Sequence, residues 1–172
     1  TCARAAAATP CRRTFYSSLY RSFLAPNIGS DTDGRYTGWD RGIHHARGFT
    51  YYQNWSLWDT YRTQSQLLSL LAPREARDMA ISVIRIDEES GWLPKWGYGP
   101  VETNIMTGDP VTPFLTNAYQ QGLLKGYEEQ AYRALKKNAD GVPPARPSRG
   151  GARSRQGVHH RRLRPVPQGP SA

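Results

Sequence analysis

Residues 73–91 read Pro-Arg-Glu-Ala-Arg-Asp-Met-Ala-Ile-Ser-Val-Ile-Arg-Ile-Asp-Glu-Glu-Ser-Gly, and they decide the fold class. Pro73 suits the first turn of a helix, where its missing N–H costs nothing, and Gly91 suits the left-handed position just past the end. Between them Ala76, Met79, Ala80, Val83 and Ile84 recur at three- and four-residue spacing, one apolar stripe on a helical period. The pattern spreads in both directions. Upstream, Leu57, Tyr61, Leu68 and Leu71 mark a helix closed by Pro73, and Phe15, Leu19, Tyr20 and Phe23 mark another that stops near Pro26. Downstream, Thr112 and Pro113 cap and open a helix through Phe114, Ala118 and Tyr119 toward Gly122. Glu128 to Asn138 carries Glu128 and Glu129 early and Lys136 and Lys137 late, which complements the helix dipole. The expected fold is mostly α.

Two stretches break the helical period. Asp31 to Gln53 is rich in Gly, Asp and Tyr, with an expected short hairpin through Tyr36 and Phe49 to Tyr52. Gly91 to Pro110 is rich in Trp, Gly and Pro and is far longer than an ordinary helix–helix connection. Long ordered connections carry function more often than they idle, so the chemistry is sought there.

Charge and apolar material sort along the 172 residues. The net charge is +9, yet residues 1–13 hold three Arg and no acid and residues 141–172 hold seven Arg and no acid. Residues 14–140 are left with 13 basic and 14 acidic groups, a balance of −1. All 19 aromatic residues fall between Phe15 and Tyr132. One folded domain is therefore expected over residues 12–144, with an irregular segment over 1–11 and a disordered Arg/Pro/Gly-rich tail over 145–172. That tail has the composition of an interaction arm, or of a GC-rich gene read out of frame. The basic ends lack aromatic residues on which bases stack, so nucleic acid is not the expected partner. No run of about 18 apolar residues is present to span a membrane, and no signal peptide is recognisable. Cys2 and Cys11 give no metal or disulfide framework.

The long connections combine Asp31, Asp33, Asp40, Glu102 and Asp109 with Trp39, Trp92, Trp96 and Tyr98, and Trp55 and Trp58 stand at a helix entrance. Aromatic faces with carboxylates suit the C–H side and the hydroxyls of a pyranose, while the same Trp residues can equally fill seams between helices. His44 and His45 are adjacent and point apart in an extended segment, which makes them poor co-ligands. Asp31-Thr32-Asp33-Gly34 begins like a calcium loop but has Gly42 where the closing carboxylate belongs.

Four motifs occur in order: Asp-Thr-Asp-Gly-Arg-Tyr-Thr-Gly over Asp31 to Gly38, Asn-Trp-Ser-Leu-Trp-Asp-Thr-Tyr-Arg over Asn54 to Arg62, Gly-Trp-Leu-Pro-Lys-Trp over Gly91 to Trp96, and Glu-Thr-Asn-Ile-Met-Thr-Gly over Glu102 to Gly108. Together they resemble glycoside hydrolase family 92, the calcium-dependent exo-α-mannosidases, across roughly Arg12 to Pro144. The resemblance implies part of an (α/α)6 barrel, a mannose-containing glycan as substrate, often α-1,2-linked, and inversion at the anomeric carbon. Glu102 matches the family's general acid. Trp58 and Asp59 match its Trp-Asp-Thr motif and are implied at the terminal-sugar subsite, together with Trp96 and Asn104. Asp33 and Arg35 either line the same pocket or pair with each other.

Inversion needs a second carboxylate about 6.5–9.5 Å from the acid, with water between. In the family that base lies in a downstream Asn-Asp-Asp-type motif that this chain does not contain, and the calcium ligands are also implied beyond position 140. The fragment is expected to be inactive alone. Ser65-Gln66 stands where many members carry His-Pro, so linkage is left open, as is oligomeric state. Export to the periplasm or cell exterior is implied by family analogy. The alternative reading is a non-catalytic carbohydrate-binding or scaffolding helical module.

Overall fold

The computed structural model describes residues 9–141; the expected disordered tail over 145–172 lies outside the described residues, as does most of the N-terminal segment. In chain order the elements are α1 (Thr9–Ser22), β1 (Asn27–Ile28), β2 (Arg35–Thr37), β3 (Ile43–His45), β4 (Tyr52–Gln53), β5 (Trp55–Ser56), α2 (Leu57–Thr60), α3 (Gln64–Leu71), α4 (Pro73–Ser90), β6 (Trp96–Tyr98), β7 (Val101–Glu102), α5 (Val111–Gln120) and α6 (Glu128–Asp140). About half of the described residues are helical, and the strands form three small antiparallel sheets, β1–β4, β2–β3 and β5–β6–β7.

Helix α4 is the axis of the core. Its ends follow the local rules: Pro73 opens it, and Gly91 closes it at φ 76° with its N–H on the Asp87 carbonyl. The expected stripe is buried, and so are Ile81, Ser82, Ile86 and Asp87. A helix buried on several sides is enclosed rather than laid on a surface. One side meets α3, α5 and α6; the other meets the strand connections. There the Thr50 N–H donates to Asp78 Oδ2 and the Tyr52 N–H to the hydroxyl of Ser82, both at 2.9 Å. Ser82 thus gives Tyr52 of β4, and Asp78 gives Thr50 just before it, a main-chain partner beyond the short pairing with β1. Lys137 of α6 reaches Asp87 at 2.7 Å, an ion pair that ties the last described helix to the core.

The structure departs from the sequence reading at several points. The Leu57-to-Leu71 helix is two, because the backbone breaks at Thr63 with φ 66°. Tyr36 pairs with His44 rather than with the Phe49-to-Tyr52 segment, and Tyr52 pairs with Ile28. Gly38 and Gly42 explain the choice: a Cβ on Gly38 would stand 2.5 Å from the His44 ring, so the small residue admits the hairpin. The aromatic face of α1 is not buried among the described residues; Phe15, Tyr16 and Tyr20 are each more than half exposed. The helix also takes in Thr9 to Cys11, which the sequence assigned to the irregular segment.

Candidate functional site

The two long connections meet at a glycine. Tyr36 donates to Glu89 Oε1 at 2.6 Å and the Trp39 N–H to Glu89 Oε2 at 3.0 Å, so one carboxylate at the end of α4 pins the β2–β3 hairpin. Burial first, and the Glu89 charge with its hydrogen bond second, push the Tyr36 phenol well above its ordinary range. Tyr36 also stacks on Tyr51 with ring centroids 3.8 Å apart. The hairpin so held lays the Trp39 indole on Gly97 of β6, where an added Cβ would be 2.5 Å from Cζ2. Trp39 and Trp55 are thus seam-fillers, both buried. Neither Glu89 nor Gly97 announces this role in the sequence, because each acts through a partner some fifty residues away.

The sheet β5–β6–β7 gathers most of the candidate residues. Its register sets Ser56 opposite Trp96, and Gly97 opposite both Trp55 and Glu102. Cross-strand partners share a face, so Trp96 and Ser56 lie on one side and Trp55 and Glu102 on the other. Asp59 belongs to the Trp96 side, since the Ser56 hydroxyl donates to its Oδ2 in a short hydrogen bond. Trp58, in the single turn α2 that continues β5, is 44% exposed. Glu102, on edge strand β7, is two strands from Trp55, roughly 10 Å at ordinary strand spacing. The candidates are neighbours, divided between two faces of a small sheet.

Glu102 has the most defined surroundings. Its Oε1 accepts the Trp96 N–H at 3.1 Å and the Asn104 N–H at 2.9 Å, and its Oε2 accepts the Lys95 N–H at 2.7 Å. The carboxyl caps the start of β6. Asn104 sits at φ 55°, a left-handed conformation that Asn tolerates better than most residues. At the other end of the hairpin, Asn54 accepts the Gly99 N–H at 2.9 Å and donates to Asn27 Oδ1 at 3.0 Å, linking the β6–β7 turn to the β1–β4 sheet.

Asp33 and Arg35 bind each other. Arg35 Nε donates to Asp33 Oδ2 at 2.6 Å and the Arg35 N–H to Oδ1 at 3.0 Å, and that backbone donor is the main reason that the Asp33 carboxyl is held below its usual range. Asp31 and Asp33 also line an open depression with Ile28, Phe49 and Thr50. His44 and His45 occupy successive positions of β3, and His44 bonds Asp40 at 2.9 Å. Among the described residues no group of three or more His, Cys, Asp or Glu side chains is disposed to hold a metal. The available carboxylates do not fit calcium, which takes six to eight oxygens: Asp33 is taken by Arg35, Asp40 by His44, and Glu102 faces three N–H donors.

The profile of the glycosyl hydrolase family 92 catalytic domain matches residues 4–164. The chain belongs to glycosyl hydrolase family 92. That match runs past the Arg12-to-Pro144 span carried by the four motifs. Among solved structures, the family GH92 alpha-mannosidase BT3965 from Bacteroides thetaiotaomicron is 35% identical with a TM-score of 0.70, covering 74% of this chain and 18% of that one. A second structure of BT3965 is a complex with mannoimidazole. The inverting mannosidase BT2199 from Bacteroides thetaiotaomicron VPI-5482 is 31% identical with a TM-score of 0.64, covering 72% of this chain and 17% of that one. Among curated protein sequences no relative matches. The chain therefore spans under a fifth of the length of these family 92 structures. No helix among the described residues is long and apolar enough to cross a membrane.

Proposed function

We propose that this chain forms part of the catalytic domain of an inverting exo-α-mannosidase, and that Glu102 supplies the proton to the departing sugar. The observation that supports the reading best is the match to the family 92 catalytic domain over residues 4–164, which takes in Glu102 in the sheet that leads into Trp58 and Asp59. In the reaction the C1–O bond breaks and its electron pair goes to the glycosidic oxygen, which takes the Glu102 proton. A water oxygen bonds C1 from the opposite face and gives its proton to a base carboxylate.

We assign that base, and the ligands of the calcium that would help bind and distort the sugar, to parts of the family domain outside the described residues. Trp58 and Asp59 are assigned to the terminal mannose, Asp59 accepting its hydroxyls, with Trp96 and the side chain of Asn104 beside them. Asp33 and Arg35 then shape the adjoining loop as a pair. The proposed substrate is a mannose-terminated glycan with an α-1,2 linkage, acted on outside the cytoplasm, and the six helices are proposed as a segment of an (α/α)6 barrel.

Release of free mannose from an α-1,2-linked disaccharide with calcium present tests this reading. The 172-residue chain alone is expected to release none, because acid or base assistance each contributes roughly 10²–10⁴ in rate and only the acid is assigned here. A polypeptide completing the domain with a base-bearing segment should release mannose and lose that activity on Glu102→Gln. Release by the chain alone that disappears in Glu102→Gln would overturn the assignment of the base; release by the completed domain that survives the substitution would overturn the acid.

A further inference from the structure

The Glu102 carboxyl is unequally loaded. Oε1 accepts two N–H groups, from Trp96 and Asn104, while Oε2 accepts one, from Lys95. A carboxylate oxygen has two in-plane lone pairs, so Oε1 is filled and Oε2 keeps one free. We infer that Asn104 is a positioning residue whose main-chain N–H, together with that of Trp96, holds the Glu102 carboxyl so that Oε2 stays its open oxygen. The inference rests on the acid role proposed above for Glu102 and deepens it.

The geometry supports this division in three steps. The amides of Lys95 and Trp96 stand at the entry to β6, and β6 is held on both sides, by β5 and β7. Two donors from one strand set the plane of the carboxyl but leave it free to rock about that edge. The third donor, the Asn104 N–H, stands two residues beyond Glu102 on the other side of the β6–β7 hairpin and shares Oε1 with Trp96. Asn104 itself sits at φ 55°, which a β-branched residue adopts only with strain and glycine adopts freely, so a β-branched side chain there should displace its N–H. The Asn104 side chain is exposed and is not what holds Glu102. Thr103 completes the local brace: its N–H and its hydroxyl both donate to the Trp96 carbonyl, at 3.0 and 2.8 Å, so the strand cannot slide past β6.

The test is an acid titration of the intact chain followed by amide NMR. An N–H that donates to a carboxylate moves when that carboxylate takes up its proton, so the amides of Lys95, Trp96 and Asn104 should shift together through one transition. Glu102→Gln should abolish the transition at all three. Asn104→Gly should preserve it, whereas Asn104→Val should uncouple position 104 and broaden or split the response at 95 and 96. Asn104→Ala, whose left-handed penalty is smaller, is read beside it, with the methyl signals of Ile81 and Leu115 showing that the core is intact. Three amides that titrate with separate midpoints, or an Asn104→Val chain that titrates like the parent, would overturn the inference. In the completed domain Asn104→Val should lower kcat further than Asn104→Gly does, since both lose the side chain assigned to the sugar and only valine strains the main chain. A shared amide transition combined with mannose release that survives Glu102→Gln would uphold the clamp and refute the acid role.

Discussion

Replacing Gly97 with alanine tests whether the two long connections are locked together by one contact. The added Cβ would meet Trp39 Cζ2 at 2.5 Å and Cη2 at 2.8 Å, whereas comfortable carbon contacts lie at about 3.5–4.0 Å. The indole must therefore retreat by roughly 1 Å. It has little room to do so: Trp39 is 8% exposed and its main-chain N–H is fixed on Glu89. Overpacking of this kind costs about 1–3 kcal/mol, and with a urea slope of about 1–3 kcal/mol/M the midpoint should fall by on the order of 1 M. Trp39→Phe removes the ring that carries both clashing atoms. It costs stability by itself, through the lost contacts, yet in its background Gly97→Ala should become nearly free. The assay is urea unfolding by far-ultraviolet circular dichroism on the four chains of a double-mutant cycle. Additivity within about 0.5 kcal/mol would refute the reasoning, because it would mean that Trp39 does not rest on Gly97.

Other consequences follow from the same contacts. Tyr36 must stay neutral in the folded chain while an unfolded tyrosine ionises near pH 10; its raised folded value makes stability fall as pH rises above about 10, and Tyr36→Phe should flatten that alkaline decline in urea midpoints, a parallel decline in both chains counting against it. Lys137→Met leaves Asp87, which is 8% exposed, without its ion pair; a loss of roughly 1–3 kcal/mol is expected, with faster amide exchange in α6 than in α4, and unchanged exchange in α6 would argue against the tether.

Legibility followed the reach of each interaction. Helix α4 could be read from the sequence because its determinants are its own: Pro73, Gly91 and a stripe from Ala76 to Ile84. The break at Thr63 could not, since the apolar spacing of Leu57, Tyr61, Leu68 and Leu71 continues across it. The partner of Tyr36 was misread because aromatic residues at Phe49 to Tyr52 look more strand-like than Ile43-His44-His45. The pairing is decided instead by Gly38 beside His44 and by Asp40 bonded to that ring. The β5–β6–β7 sheet left no sequence signal, with strands of two or three residues, too short for an alternating pattern to register. Of the candidate site, Glu102, Trp58, Asp59 and Trp96 stood out as motif residues. Their division between two faces and the main-chain clamp on Glu102 depend on the register of the hairpin, which composition does not encode. The apolar run of α1 was visible, but its exposure was not, because periodicity reports that a face is apolar and not whether anything covers it.

The central claim is that these residues form the mannose-recognising part of a family 92 site around Trp58, Asp59 and Trp96. The most direct measurement is titration of the 172-residue chain with mannoimidazole, followed by the indole N–H signals of its five tryptophans. The account predicts that the Trp58 and Trp96 signals move while those of buried Trp39 and Trp55 stay in place, and that Asp59→Ala abolishes the movement without disturbing the core. Movement of no indole, or identical movement with a glucose-configured analogue and in Asp59→Ala, would contradict it.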